Sequence, residues 1–371
     1  MSILIKKDNL QTAVGIVEKN TARNITLPVL NNILFKTGID KISLTATNLE
    51  IGVWVSIPSK GDIKTELILP PKVLMSFLNT LNEGNIEIKP SDKNKQITIE
   101  QNSFKTSIKG GGADDFPILP QINTKKQFII KAQQLIEGLE QVINSTATSE
   151  LKPELTGVLF SFNENGLKLA ATDTFRLSEC VIKQQNPLNI KEQIIIPTHT
   201  AIEIIRIFQN PEEDLCIFLD KNQIMIENKN NNKFIIKLIS KLIEGDYPNY
   251  QQIIPQSFET TITLPKNELI KHVRAASLFS SKINDIKITI TTNALKIQTE
   301  DYNIGSYNSE IIAQTEGPEK EISFNHHFLL DGLQNIKGEE VVLKINQKET
   351  PALLQNPKQK EYLYLLMPIR A

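Results

Sequence analysis

The sequence predicts an α+β protein made of three similar domains, each running helix, strands, helix, strands. Its 371 residues are too many for one ordinary core and divide into units of about 100 to 150 residues. Three strand-rich segments read alike, and two kinds of amphipathic helical segment recur at nearly the same step, the signature of an internal repeat.

The strand segments are LPVLNNILFKTGIDKISLTATNLEIGVWV, LTGVLFSFNENGLKLAATDTFRLSECVI and INDIKITITTNALKIQTEDYNIGSYNSEI. Each alternates apolar and polar residues through a turn containing Gly or Asn, then reaches a corner and a third strand. The corner threonines are Thr47, Thr172 and Thr299, at steps of 125 (172 − 47) and 127 (299 − 172). One helix of each unit opens at Pro71, Pro197 or Asn325, spaced by 126 (197 − 71) and 128 (325 − 197). The other helix carries Leu10, Leu135 or Leu269 at its equivalent position.

Pro-rich and polar stretches, PQINTKKQ and IIPQSFETT, separate the units, giving domains 1–122, 126–254 and 258–371. Before each linker, Phe116-Pro117 answers Tyr247-Pro248. The third unit ends in EYLYLLMPIRA, so its last strand is the chain terminus, and sheet pairing is what keeps so apolar a tail from fraying.

Composition narrows the function. With 40% hydrophobic and 22% charged residues the chain reads as globular. It has no apolar run long enough to span a membrane, and MSILIKKDNL lacks the pattern of a signal peptide, so a cytoplasmic location is expected. Cys180 and Cys216 lack CxxC spacing and read as buried thiols. A net charge of −1 gives no global pull toward nucleic acid, although it can hide oppositely charged faces.

Enzyme motifs are missing. GGGADDF has no GK[ST] and is no phosphate loop, and neither a GxSxG elbow nor a Cys/His nucleophile pair occurs. The rings of His326 and His327 are expected to point apart, and Asp114-Asp115 and Glu212-Glu213 to be solvated. No metal or cofactor is expected.

The ordered set LPVLNNILF, LTATNLEI, ADDFP, TGVLF, ATDTFRL, LIEGDYPNY, ISFNHHFLLDGL and terminal MPIR resembles the bacterial sliding clamps, the β subunits of DNA polymerase III, over essentially the full length. The resemblance implies a DNA-clamp fold: a head-to-tail homodimer closing a ring of six domains around duplex DNA, helices inside and sheets outside. It implies a non-catalytic processivity factor, placed on DNA by a clamp loader, that tethers the polymerase catalytic subunit and other proteins through a short peptide motif.

Carried over by matching position, the peptide cleft comprises Leu155, Thr172, Thr174, Phe175, Arg176, Leu177, Pro248, Ile253, Leu365, Met367, Pro368, Ile369 and Arg370. Taken without the resemblance, ATDTFRL reads only as a strand, a turn at Asp173 and a second strand. Adaptable Leu and Met beside a proline and an arginine suit a peptide groove. Leu365, Met367 and Ile369 alternate and are expected to share one strand face. Family members often carry Gly-His where Thr174-Phe175 stand, and end in Leu where Ala371 stands.

The DNA contacts implied are Arg23, beside an Asn24 that replaces a common arginine, with Lys72 and His199. Lys19, Arg206, Lys271 and Arg274 are further candidates for the hole or for ordinary solvated charge. A sliding ring needs diffuse phosphate contacts, so no base-reading motif is expected. The dimer interface implied contains Phe104 and Leu278, with Ser277 replacing an apolar residue. Two other functions fit the bare sequence: a repeat-built peptide scaffold that does not encircle DNA, and a carboxylate-dependent hydrolase pairing Asp173 with Glu300 or Asp301.

Overall fold

The computed structural model describes residues 2–22, 26–122, 126–184, 191–229, 234–347 and 349–369. The protein separates into two compact units, residues 1–133 with 206–242 and residues 134–205 with 243–371. Helices are α1 (Lys7–Glu18), α2 (Pro71–Leu78), α3 (Ala132–Val142), α4 (Thr198–Ile207), α5 (Lys266–Ser277) and α6 (His326–Asn335). Among the described residues, no helix is long and apolar enough to cross a membrane.

The first unit holds two sheets. One pairs Ile3–Lys6, Asn85–Ser91, Gln96–Gln101 and Phe104–Lys109 in that order. The other has eight strands, and its centre is the antiparallel join of Ile51–Pro58 to Ile235–Lys241, with Val53 opposite Leu238 and Gly52 opposite Ile239. Strict alternation drives these strands: in Gln96–Gln101 every second residue is buried. A Cβ at Gly52 would lie 2.4 Å from the end of the Leu119 side chain, which would have to swing aside to admit one. Leu119 in turn packs on Ile122, Met225 and Ile239.

The second unit repeats this plan. A nine-stranded sheet is joined at its centre by Arg176–Lys183 and Gln359–Leu366, with Leu177 opposite Leu365 and Ser178 opposite Tyr364. A four-stranded sheet runs Gly305–Ile312, Ala294–Asp301, Asp285–Ile290, Lys320–Asn325. Helices α3 and α6 meet through reciprocal amides: Gln141 Nε2 donates to the Asn335 carbonyl and Asn335 Nδ2 to that of Gln141, both at 3.2 Å.

The repeat read from sequence is visible in the core. Leu10, Leu135 and Leu269 are all fully buried, on α1, α3 and α5. The corners of the first two repeats match bond for bond. Thr47 Oγ1 donates to the Ile51 carbonyl (2.9 Å) and accepts from Leu49 N (3.0 Å); Thr172 Oγ1 donates to the Arg176 carbonyl (2.7 Å) and accepts from Thr174 N (3.2 Å). Leu49 and Thr174 both take positive φ, +75° and +77°.

The third corner differs from the expectation. Thr299 lies inside its strand opposite Tyr307, and its hydroxyl donates to the carbonyls of Phe279 and Asp285. Asp301 caps that turn, its Oδ1 accepting from Asn303 N (2.8 Å), as Asn48 and Asp173 cap theirs. The true equivalent of Thr172 is therefore Glu300, at the same step of 128 (300 − 172) that the helices keep. A glutamate cannot close the threonine's tight bonds, so this turn is built differently.

The two histidines also depart from expectation. Their ring centroids are 4.1 Å apart, because both sit in the first turn of α6, where Asn325 Oδ1 accepts from His327 N. Burial, followed by the neighbouring His327, holds His326 below the usual imidazole range. No cluster of three or more metal-ligating side chains occurs among the described residues.

Gly332 on α6 tests the packing. A Cβ there would lie 2.4 Å from the Tyr364 ring, which is fully buried and held by its hydroxyl donating to the Phe328 carbonyl at 2.7 Å. Gly332→Ala gains about 1 kcal/mol of helix propensity, but overpacking a fixed ring costs about 1–3 kcal/mol or more. A net loss in melting temperature is expected; an unchanged or raised one contradicts this packing.

Candidate functional site

The second unit brings together most of the residues named for the cleft. The corner Thr172 to Leu177 is fixed from within. Asp173 Oδ1 accepts from the backbone N–H groups of Phe175 and Arg176, both at 2.9 Å, and Oδ2 accepts from Arg176 Nε at 3.0 Å. The guanidinium also donates to Asp331 on α6. Asp173 is thus spent on structure, and Asp301 caps its own turn; neither is arranged as a hydrolytic acid.

The tail meets this corner. Gln359–Leu366 pairs with Arg176–Lys183, and one more ladder bond follows, Met367 N donating to the Phe175 carbonyl at 2.8 Å. Ile369 N then donates to the Ser323 carbonyl at 2.8 Å. The strand ends at Leu366, which corrects the expectation of one continuous face. Leu365 is buried in the core with Leu159, Ala170, Leu177, Ile195, Tyr250 and Leu353. Met367, Pro368 and Ile369 lie half-buried beyond it. Arg370 and Ala371 lie outside the described residues, as does Arg23.

Two tyrosines moor the GDYPNY segment to the same place. Tyr247 Oη accepts from Thr172 N at 3.0 Å, and its ring meets Tyr250 edge-on at 6.4 Å. Tyr250 Oη donates to Glu179 Oε2 at 2.6 Å, and Lys168 Nζ lies 3.1 Å from that oxygen. Sequence reasoning missed Tyr250, Glu179 and Lys168. Their signal was faint: a Lys and a Glu on adjacent strands, and an aromatic three residues after Tyr247.

The surface left above this floor is apolar. Phe175 is 60% exposed and Ile253 51% exposed, and Pro248 and Thr174 are exposed as well. In the first unit the equivalent join is closed: Ile122, five residues after Pro117 as Ile253 is after Pro248, is only 9% exposed. Leu155 is buried in the 3-10 turn Pro153–Thr156. Phe328, also missed, stacks on Phe175 with centroids 6.3 Å apart. Nearby, burial pushes the Cys180 thiol up to about 12 and keeps it unreactive.

The remaining named residues lie elsewhere. Lys72 and His199 are exposed in the first turns of α2 and α4, where the helix dipole disfavours cations and welcomes phosphate oxygens. Lys19, Lys271 and Arg274 are exposed. Arg206 is half-buried and donates to the carbonyls of Gly15 (3.1 Å) and Ile16 (2.7 Å) of α1, so it braces two helices. Phe104 is 40% exposed and Leu278 69% exposed.

Three buried tyrosines and the half-buried Tyr247 give this unit a pH dependence. Burial raises Tyr247, Tyr250, Tyr362 and Tyr364 well above the ordinary 10.0. Each stays protonated in the fold after its unfolded counterpart ionises. Their stabilisation is therefore complete below about pH 10 and falls as pH rises above it. Melting temperature should drop between about pH 9 and about pH 11, with tyrosinate absorbance lagging until unfolding. A flat melting curve, with all tyrosines ionising together near pH 10, contradicts the placement.

Models of the DNA polymerase III beta subunit family match consecutive stretches of the chain: the N-terminal domain over residues 1–120, the central domain over 129–249 and the C-terminal domain over 251–370. The chain is 27% identical to the beta sliding clamp of Bacillus subtilis over 383 residues, covering 100% of both chains. It is 26% identical to that of Synechococcus elongatus over 381 residues, covering 100% of this chain and 99% of the other. The crystal structure of the DNA polymerase sliding clamp from Bacillus subtilis superposes with a TM-score of 0.92 at 26% identity, over 100% of this chain and 99% of that one. With all three family domains present in order, this chain belongs to the DNA polymerase III beta subunit family.

Proposed function

We propose that this chain is a DNA polymerase processivity factor: a non-catalytic sliding clamp, acting in the cytoplasm, that closes as a homodimer around duplex DNA. Its domains are 1–122, 126–254 and 258–371. A separate ATP-driven loader opens it, since the sequence carries no nucleotide motif. The groove of the second unit tethers the polymerase catalytic subunit and other proteins through a short peptide.

The observation that carries this reading is a pairing rule. Twice, the third strand of one repeat joins the last strand of the next: Ile51–Pro58 with Ile235–Lys241, and Arg176–Lys183 with Gln359–Leu366. The rule leaves two strands over. Phe104–Lys109, the last strand of the first repeat, and Gly305–Ile312, the third strand of the third repeat, are sheet edges among the described residues. Free edges invite pairing, and these two satisfy each other only between copies, head to tail. Exposed Phe104 beside one edge and exposed Leu278 and Ile304 beside the other supply apolar surface for the join. Lys72, His199 and Arg23 supply sequence-independent phosphate contacts, as sliding requires.

The wild-type chain should sediment as a dimer at micromolar concentration. Phe104→Ala should raise its dissociation constant about 100-fold, because losing a buried aromatic costs about 3 kcal/mol. A wild-type monomer contradicts the head-to-tail join. Loaded onto a closed DNA circle by a loader, the protein should survive high salt and escape once the circle is cut. Equal escape from intact and cut circles leaves only the reading of a peptide scaffold that does not encircle DNA.

A further inference from the structure

The run GGGADDF serves neither the groove nor the sheet edges, and its Gly112, Ala113 and Asp114 wall a cavity of about 1010 Å³ in the first unit. Gly111 exchanges both backbone bonds with Ile68, at 3.0 and 3.1 Å, and Gly110 N donates to the Lys95 carbonyl at 2.8 Å. A side chain at Gly110 would strike the Ile68 carbonyl, so only glycine lets the run lie this close to the strand Thr65–Leu69. Thr37 Oγ1 donates to the Ile63 carbonyl and accepts from Thr65 N, which fixes the segment carrying Lys64.

The floor is one face of the eight-stranded sheet. Lys36 stands opposite Ser43, and Ser43 opposite Ser56, two residues from Trp54, so Lys36, Ser43 and Trp54 share that face. The corresponding face of the second unit is filled. At the corner step of 125, Ser43 answers Lys168 (168 − 43) and Trp54 answers Glu179 (179 − 54), and the Tyr250 phenol closes over that charged pair. In the first unit the sheet supplies the ring itself: Trp54 is half-buried, with Lys237 Nζ 5.6 Å from its centroid.

The lining is cationic by one charge, with Lys36, Lys41, Lys64 and Lys95 against Glu66, Asp92 and Asp114 (4 − 3 = 1). Lys36 is spent on Glu66 at 3.1 Å, and Asp92 accepts from the Thr65 hydroxyl. Among the described residues, Lys41, Lys64 and Lys95 enter no ion pair. Unpaired ammonium groups around an aromatic ring suit a ligand that is planar at one end and anionic at the other.

We propose that this cavity is a site for a free nucleotide, its base stacked on Trp54 and its phosphate held by Lys41, Lys64 and Lys95. The volume suits a ligand of that class. The inference does not rest on the clamp reading, because every lining residue lies within the first unit.

Trp54 is the chain's single tryptophan, so its fluorescence reads the cavity directly. With the full chain, adenosine monophosphate should quench it saturably, and calorimetry should find one site per chain. Adenosine and inorganic phosphate should each bind about tenfold more weakly or worse, as expected when a charge-assisted bond or a stacked ring is lost. Trp54→Leu should weaken the nucleotide about five- to 150-fold by calorimetry, the range for one base removed from an aromatic platform. Lys64→Gln combined with Lys95→Gln should weaken it about tenfold or more and leave adenosine unchanged. These two lysines are exposed, so that variant keeps its melting temperature and decides the question even where Trp54→Leu does not fold. Nucleotide that neither quenches nor releases heat at millimolar concentration overturns the site, as does an affinity unmoved by the lysine changes. Phosphate bound as tightly as the nucleotide overturns the base platform. A single-stranded oligonucleotide that displaces the nucleotide at lower concentration overturns the assignment to a free nucleotide.

Discussion

The antiparallel join between Arg176–Lys183 and Gln359–Leu366 is the constraint on which the second unit depends. It sets Leu177 opposite Leu365 and so makes one buried floor from residues far apart in sequence. The same register brings Met367 to the Phe175 carbonyl, which seats the last described residues beside the corner. Because side chains alternate with period two, a slip of one residue would turn Leu365 and Leu177 to opposite faces and abolish the floor.

Polar bonds make that floor specific. The Tyr250, Glu179 and Lys168 network and the Tyr247 bond to Thr172 N hold the GDYPNY segment against the sheet. Removing one partner would leave a buried donor or acceptor unpaired, at a cost of about 1–3 kcal/mol. The first unit solves the same join differently, with Leu119 and Ile122 packed over Gly52 and Ile239. One join is closed by its own chain and the other leaves Ile253 and Phe175 exposed, although both use the same strands and the same corner.

Much of this was legible in sequence because repeats carry redundant signals. Leu10, Leu135 and Leu269 marked three helices whose buried faces recur, and Thr47 and Thr172 marked two corners with identical bonds. Thr299 misled because a threonine one residue early looks equivalent when only residue type is compared; the helix step of 128 pointed to Glu300. The strand end at Leu366 was hidden because an alternating apolar pattern continues past it, while Pro368 cannot donate to a ladder. Phe328 and Asp331 were invisible because their role depends on α6 lying against a strand pair distant in sequence.

Phe104–Lys109 and Gly305–Ile312 are sheet edges among the described residues, and in the proposed dimer each satisfies the other between two copies. A head-to-tail join either closes or propagates. Electron microscopy of the purified protein decides between them most directly. Closed rings of two copies, with a central hole wider than a hydrated DNA duplex, are expected. Single open crescents, or filaments of many copies, would contradict this closure.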